Sequence, residues 1–196
     1  MSSIILTGDT SGTLTVSAPL VAGSNTLTLP AATGTVSLLA QATAVASTSG
    51  TSIDFTGIPS WAKRITVMLS GVSTSGSSAV VIQIGSGSVS TSGYFSTASY
   101  AAAAGTFLYI TNAFTLDTSG TAAAAAIRYG AVQLVLLNNN TWCLSGNIGF
   151  GAIGQVSNSC AGTSPTLGGA LDRVRITTSG CTDTFDAGSI NIIYEG

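Results

Sequence analysis

The sequence predicts an all-β protein: a β-sandwich or jelly-roll-like domain over residues 45–196, preceded by a short β-structured stem over residues 1–44. Three observations predict it. Short runs rich in Thr, Val, Ile and aromatic residues recur along the chain, and Gly-, Ser- and Asn-rich turns separate them. Hydroxyl and aliphatic side chains alternate with a period of two in the opening segment. Charge is almost absent, with five Lys or Arg and seven Asp or Glu among 196 residues, against 56 Ser or Thr.

The stem contains three similar units, Gly12-Thr13-Leu14-Thr15-Val16, Asn25-Thr26-Leu27-Thr28-Leu29 and Gly34-Thr35-Val36-Ser37-Leu38. Each would bury one narrow aliphatic strip. About 40 residues cannot build a core alone, so Leu14, Val16, Leu27, Leu29, Val36 and Leu38 are expected to be covered by the following domain or by sister chains. A homotrimeric β-stalk would cover all three strips and close their strand edges. Residues 41–50, rich in Ala, Ser and Thr, read as a hinge.

From residue 51 the apolar runs lengthen and nearly all the aromatics appear. Strands are predicted at 52–55, 64–72, 79–84, 106–110, 113–116, 122–128, 131–137, 141–150, 171–177 and 189–194. The alanine run within 122–128 favours a helix on propensity. It lacks a capping box and the charged residues of a solvated helix face, so a strand is predicted there. Residues 101–104 are expected to form a turn or a single helical turn. Residues 151–169 show little periodicity and read as a long surface loop, and residues 93–105, where Tyr and Ala cluster among small residues, read as a tip.

Composition excludes several classes of function. Disorder requires low hydrophobicity with high net charge, whereas this chain is 45% hydrophobic with a net charge of −2. Five basic residues cannot supply the phosphate contacts of nucleic-acid binding. Met1-Ser2-Ser3 lacks the basic start of a signal peptide, and no apolar window is long enough for a membrane helix, so no membrane insertion is expected. A soluble monomer usually carries a charged surface. This chain must rely on hydroxyls or hide surface against copies of itself, and a homo-oligomer is the expectation.

Chemistry is equally sparse. Histidine is absent, which removes Ser–His and Cys–His nucleophiles. Cys143, Cys160 and Cys181 have no metal-binding spacing and are expected to be buried or half-buried thiols, a Cys160–Cys181 disulfide being the alternative. Asp183 and Asp186 read as turn residues. Lys63, the one lysine that a Ser–Lys pair would have, sits with Arg64 at the solvated start of a strand behind Trp61. No phosphate-binding glycine motif occurs. No catalytic residue, cofactor or metal is therefore predicted, and the protein is expected not to be an enzyme. Arg173 and Arg175 alternate in a strand, so they share a face; they are expected to line a solvated surface, or to meet Asp172 or Glu195 at a subunit boundary. Tyr94, Phe95, Tyr100 and Tyr109 lie near loops or strand ends. They serve either to stack on sugars or to pack in the core or an interface, with Tyr94, Phe95 and Tyr100 the residues assigned to surface recognition. Asn139-Asn140-Thr141 has the glycosylation pattern but reads as a polar hairpin turn.

Three stretches carry a resemblance. Leu6-Thr7-Gly8-Asp9-Thr10-Ser11-Gly12-Thr13-Leu14-Thr15, continued by Gly23-Ser24-Asn25-Thr26-Leu27-Thr28-Leu29-Pro30-Ala31-Ala32-Thr33-Gly34-Thr35-Val36, resembles a segment of tail-fibre and other virion structural proteins of tailed bacteriophages. The run from Thr51 through Ile58-Pro59-Ser60-Trp61-Ala62-Lys63-Arg64 to Val67 resembles the opening of a β-domain in those proteins. The ending Phe185-Asp186-Ala187-Gly188-Ser189-Ile190-Asn191-Ile192-Ile193-Tyr194-Glu195 resembles its closing strand. The resemblance implies a virion component on the tail or capsid surface, assembled in the host cytoplasm. Its N-terminal segment would bind other virion proteins or form a trimeric stem. Its β-domain would contact a host-surface glycan or protein, or close the trimer. A capsid decoration (cement) protein and a carbohydrate-binding module are the alternatives.

Overall fold

The computed structural model describes residues 3–7, 11–17, 36–100, 106–152, 154 and 156–196. The chain forms two compact units, Met1–Val36 and Ser37–Gly196; residues 37–44, grouped with the stem on composition, belong to the second. The fold is all-β, with several antiparallel sheets.

In the first unit β1 (Ser3–Thr7) pairs antiparallel with β2 (Thr13–Ser17). The register sets Ile4 opposite Val16 and Leu6 opposite Leu14, so alternation gathers aliphatic positions on one face. The second expected unit, with Leu27 and Leu29, lies outside the described residues. In the third, residues 36–38 lie outside the assigned strands, although the Leu38 N–H donates to Gly196 O at 2.8 Å and the Gly196 N–H to Leu38 O at 3.1 Å.

The second unit begins with β3 (Leu39–Gln41), β4 (Val45–Ala46) and β5 (Ser52–Thr56). Next come β6 (Arg64–Thr74), β7 (Val80–Ser86), β8 (Ser88–Val89), β9 (Phe95–Tyr100) and β10 (Thr106–Ile110). They are followed by β11 (Phe114–Thr115), β12 (Ile127–Asn138), β13 (Thr141–Gly151) and β14 (Ser157–Thr163). β15 (Arg173–Thr178) and β16 (Phe185–Glu195) complete the set. A nine-stranded sheet runs β10-β9-β14-β13-β12-β6-β16-β3, with β4 also on β16. A five-stranded sheet runs β11-β7-β15-β5, with β8 on β7.

One hydrophobic cluster draws on both sheets. Val67, Leu69, Val132, Leu134, Leu144, Ile148 and Ile192 come from the long sheet, and Ile53, Ile82, Ile84, Val174 and Ile176 from the short one. Alternation produces it: along β12 and β13 every second aliphatic side chain is buried and its neighbour is not. The β12–β13 hairpin turns at Asn139 and Asn140, whose φ angles of 42° and 61° suit asparagine. The glycosylation-like tripeptide is thus a hairpin turn.

Three sequence expectations are corrected. Residues 122–126 are not a strand. The Ala122 N–H donates to Thr118 O and the Ala126 N–H to Ala123 O, forming turns, and pairing begins at Ile127. Alanine offers a strand little side-chain packing, whereas Thr118 and Thr121 bond each other and fix the turn. The expected loop at 151–169 contains β14, paired with both β13 and β9. The expected tip at 93–105 contains β9; residues 101–105 lie outside the described residues. Both missed strands point small or polar side chains inward, Ser96 and Ala98 in one and Asn158 and Cys160 in the other. No apolar alternation marks them.

Candidate recognition surface

The outward face of the nine-stranded sheet carries the most unusual surface in the second unit. Period-two alternation in β10 directs Leu108 and Ile110 towards Val81 and Ala113, which leaves Phe107 and Tyr109 outside. The register places Phe107 opposite Ser99 and Tyr109 opposite Thr97. Phe95, two residues along β9 from Thr97, is therefore diagonal to Tyr109. Phe95, Phe107 and Tyr109 are 65%, 69% and 53% exposed.

Next to these aromatics, β14 and β13 present Ser157, Ser159, Ala161, Ser145 and Asn147, all exposed. A second apolar group follows on β12, with Ile127, Tyr129 and Val135 exposed. Gly149 has a defined reason to be glycine: a Cβ there would collide with the Tyr129 ring, which lies across the bare backbone of β13. The ring is held against the sheet as a preset platform. Arg64, the register partner of Val135, is joined to Glu195; Arg64 Nε donates to Glu195 Oε2 at 3.0 Å. Hydroxyls, amides and aromatic faces on an uncharged sheet can make neutral hydrogen bonds and bury apolar surface.

A charged recess of about 390 Å³ lies on the short sheet, lined by Asp54, Thr56, Gly87, Ser88, Val89, Arg173 and Arg175. Arg173 and Arg175 share a face, as alternation predicts. Arg173 Nε donates to Asp172 Oδ1 at 2.7 Å, and Arg175 Nε donates to Asp54 Oδ1 at 2.7 Å. Asp172 is thus the partner of Arg173, and Asp54, a partner the sequence did not suggest, that of Arg175. The Arg173 guanidinium, with the Gly87 N–H, holds the Asp172 carboxyl below its ordinary range. Each cation in the recess already has a carboxylate, so the recess is polar with little net charge.

The third polar feature is internal. Arg128 and Asp117 are fully buried and paired, Nε to Oδ1 at 2.9 Å and Nη2 to Oδ2 at 2.7 Å. Arg128 Nη1 also donates to Ala126 O at 3.2 Å, its guanidinium lies 5.8 Å from the Phe150 ring centre, and the Val80 N–H donates to Asp117 Oδ2 at 2.8 Å. Burial raises the Asp117 carboxyl above its ordinary value, against the pull of Arg128 and of that N–H. Asn158 Nδ2 donates to Leu116 O and Thr121 Oγ1 at 2.9 Å each. The cluster ties the 114–121 segment to β12 and β14 and has no path to solvent through these side chains.

Of the residues assigned to surface recognition, only Phe95 lies open on this face. Tyr94 is fully buried: its ring meets Phe114 edge-on at 5.0 Å, and its hydroxyl accepts from the Ile84 N–H at 3.0 Å. Adjacent strand residues point to opposite sides, so Tyr94 and Phe95 cannot both face outward. Tyr100 is half-buried, its hydroxyl against Gly120. Tyr109 is exposed on the same face. Phe107 and Tyr129 escaped notice, although the alternation in Thr106-Phe107-Leu108-Tyr109-Ile110 links Phe107 to Tyr109. Among the stem positions, Val16, Val36 and Leu38 are exposed.

The remaining polar residues have local roles. Asp183 accepts from the Ser78 N–H at 2.8 Å and Asp186 from the Ser73 hydroxyl. Lys63 is exposed, and Trp61 is half-buried against Tyr194 at 5.6 Å. The three cysteines are free thiols; Cys160 is buried and Cys143 half-buried, while Cys181 is exposed, contrary to expectation, on a turn with φ 54°. Among the described residues no three His, Cys, Asp or Glu side chains come together as a metal site would require. Comparison with family models, with curated proteins and with solved structures finds no significant match.

Proposed function

We propose that the chain is a non-enzymatic structural subunit of a bacteriophage virion, a homotrimeric tail or head-attached fibre or spike. One observation carries the assembly. Ile4, Ile5, Leu6 and Val16 are 65%, 60%, 55% and 49% exposed on a hairpin that has two strands among the described residues. Such a hairpin is at best marginally stable in water. Sister hairpins around a three-fold axis would cover its aliphatic face. In this reading the second unit is a β-sandwich whose two sheets close on the shared cluster.

The virion location rests on the opening motif, Leu6 to Thr15 with Gly23 to Val36, and on the segments around Trp61 and Tyr194. The first unit would bind other virion proteins or form the stem. The second would face the host surface, where the uncharged aromatic face suits a neutral glycan or a protein better than a polyanion. No catalytic role is included in this reading.

Sedimentation equilibrium of the full chain tests the assembly. Three chains of 19.3 kDa each are expected to travel together. A stable monomer at micromolar concentration would overturn the reading. Labelled subunit on purified particles separates the two virion readings: density at the tail or on projecting fibres supports a fibre, and an even coat over the capsid supports a decoration protein.

A further inference from the structure

The charged recess on the short sheet has walls fixed by the backbone. The Gly87 N–H donates to Asp172 Oδ2 at 3.0 Å and the Asp172 N–H to Gly85 O at 3.0 Å, which holds the β7–β8 turn against β15. A Cβ at Gly85 would collide with the Ser88 carbonyl and the Val89 Cα, so the turn lies close to the sheet because position 85 has no side chain. That turn forms one wall. Asp54 and Thr56 on β5 form the other, opposite Arg175 and Arg173 in the register, and alternation points all four to one side of the sheet. We propose that this recess binds one sugar residue of a neutral glycan, holding a pair of adjacent hydroxyls between guanidinium donors and carboxylate acceptors. The site lies within a single chain, apart from the aromatic face. It needs neither the assembly nor the virion location, so its failure leaves the proposed function as it stands.

The pairing geometry selects the ligand class. Each arginine holds its carboxylate side-on, through Nε at 2.7 Å and Nη2 at 3.2 Å. Among the described residues the Nη1 group of neither arginine makes a hydrogen bond, so each guanidinium keeps donors for a ligand. The four charged side chains are 29% to 38% exposed, within reach of a ligand yet held in place by their pairing. An anion entering the recess would meet Asp54 and Asp172, and a cation would meet Arg173 and Arg175. A hydroxyl both donates and accepts. Two on adjacent ring carbons can therefore accept from a guanidinium and donate to a carboxylate together, through charge-assisted bonds of the stronger kind. Thr56 and Ser88 supply hydroxyls for further sugar oxygens, and the Val89 methyls face the C–H surface of a ring. The Cα atoms of Arg173 and Arg175 stand about 7 Å apart, a span that one pyranose with its hydroxyls covers. At about 390 Å³ the recess falls at the small end of ligand sites.

The test is isothermal titration of the full chain with the methyl glycosides of glucose, galactose, mannose, N-acetylglucosamine and N-acetylgalactosamine, and with inorganic phosphate. At least one glycoside should bind with a dissociation constant on the order of 1 mM, as befits a small open site. Arg175→Gln with Asp54→Asn should weaken that binding at least about 10-fold, the loss expected on removing hydrogen bonds to charged groups. Thr56→Met, which fills the recess without touching either ion pair, should weaken it as well and serves as the second variant if the first does not fold. Circular dichroism of each variant checks the fold. Phe107→Ser with Tyr109→Ser should leave the affinity unchanged. The proposal is overturned if no glycoside binds at about 20 mM, well above the expected constant. It is also overturned if phosphate binds more tightly than every glycoside, which would make the recess an anion site. Binding that survives the recess substitutions, or that falls with Phe107→Ser and Tyr109→Ser, overturns it too; the second result would assign the sugar to the aromatic face.

Discussion

The hairpin of the first unit and the sheets of the second use the same residue types, yet among the described residues only the second has an interior. In both, period-two alternation collects aliphatic side chains on one face. In β12 that face meets Val174 and Ile176 of another sheet in one cluster, and Val132 and Leu134 are fully buried. In β1 the same pattern leaves Ile4 and Leu6 more than half exposed. Alternation specifies a face; a second layer makes it a core. At roughly 25 cal/mol per Å² of apolar surface, an uncovered strip contributes almost nothing to the single chain. The second unit should therefore hold nearly all the stability of an isolated subunit, and substitutions can break or sharpen that contrast.

The largest effect is expected from Arg128→Ala. The substitution leaves Asp117 buried without its main partner and empties the space beside Phe150. Losing one member of a buried pair costs about 3–5 kcal/mol. Urea denaturation of the unassembled chain should show it as a lower midpoint. A loss under 1 kcal/mol would mean that the 114–121 segment is not anchored through this pair.

Tyr94→Phe comes next. Its hydroxyl accepts from the Ile84 N–H in β7 and donates to Ser90 O, just after β8, at 3.1 Å. An unsatisfied buried N–H costs about 1–3 kcal/mol. The same residue gives stability a pH dependence. Burial pushes the phenol from 10.0 up to about 12, and burial pushes the Cys160 thiol from 9.0 to about 12. The folded state keeps protons that the unfolded chain releases. The contribution is complete below the unfolded values and is lost as pH rises through the folded ones. Tyr94 alone accounts for about 3 kcal/mol over that window. The decline in denaturation free energy above pH 10 should be smaller in Tyr94→Phe, with the Cys160 part remaining. An identical decline in both chains would remove the phenol as its cause.

What the sequence revealed follows the same division between face and layer. β6, β12, β13 and β16 were legible because their inward positions are Val, Ile and Leu. β9 and β14 were not, since Ser96, Ala98, Asn158 and Cys160 face inward and only pairing to neighbouring strands defines them. The Asp117–Arg128 pair was illegible for a related reason: a turn and the start of β12 bring it together, and no local spacing signals that. The aromatic face was half legible. Alternation separates Tyr94 from Phe95 and joins Phe107 to Tyr109, but which side meets solvent depends on the second sheet. The Tyr129 platform required knowing that Gly149 lies opposite across two strands.

A smaller effect is expected at the charged recess. Asp172 and Arg173 are both partly open to solvent, and exposed pairs contribute about 0–1 kcal/mol. Asp172→Asn should lower stability by no more than that at neutral pH. The folded carboxyl titrates below its ordinary range, so its contribution exists above the unfolded value and disappears as pH falls through the folded one. Denaturation curves of the two chains should converge on acidification. A gap that persists in acid would point to a role of the Asp172 oxygens, such as accepting the Gly87 N–H, that does not need the charge.

The smallest effect tests the comparison most directly. Ile5→Lys places a charge on the hairpin face opposite Ile4 and Leu6, at a residue that is 60% exposed. In dilute, unassembled chain the unfolding free energy should change by less than about 0.5 kcal/mol, the usual range for surface substitutions. The reason is physical: the side chain is already in water, so the substitution transfers almost no apolar area. At concentrations where copies associate, the same substitution should weaken assembly if both hairpin faces are covered, and leave it intact if only the Ile4–Leu6 face is. A large loss in the dilute chain would show that the hairpin draws stability from something within its own subunit, and the contrast between a bare face and a two-layer core would fail at its first term.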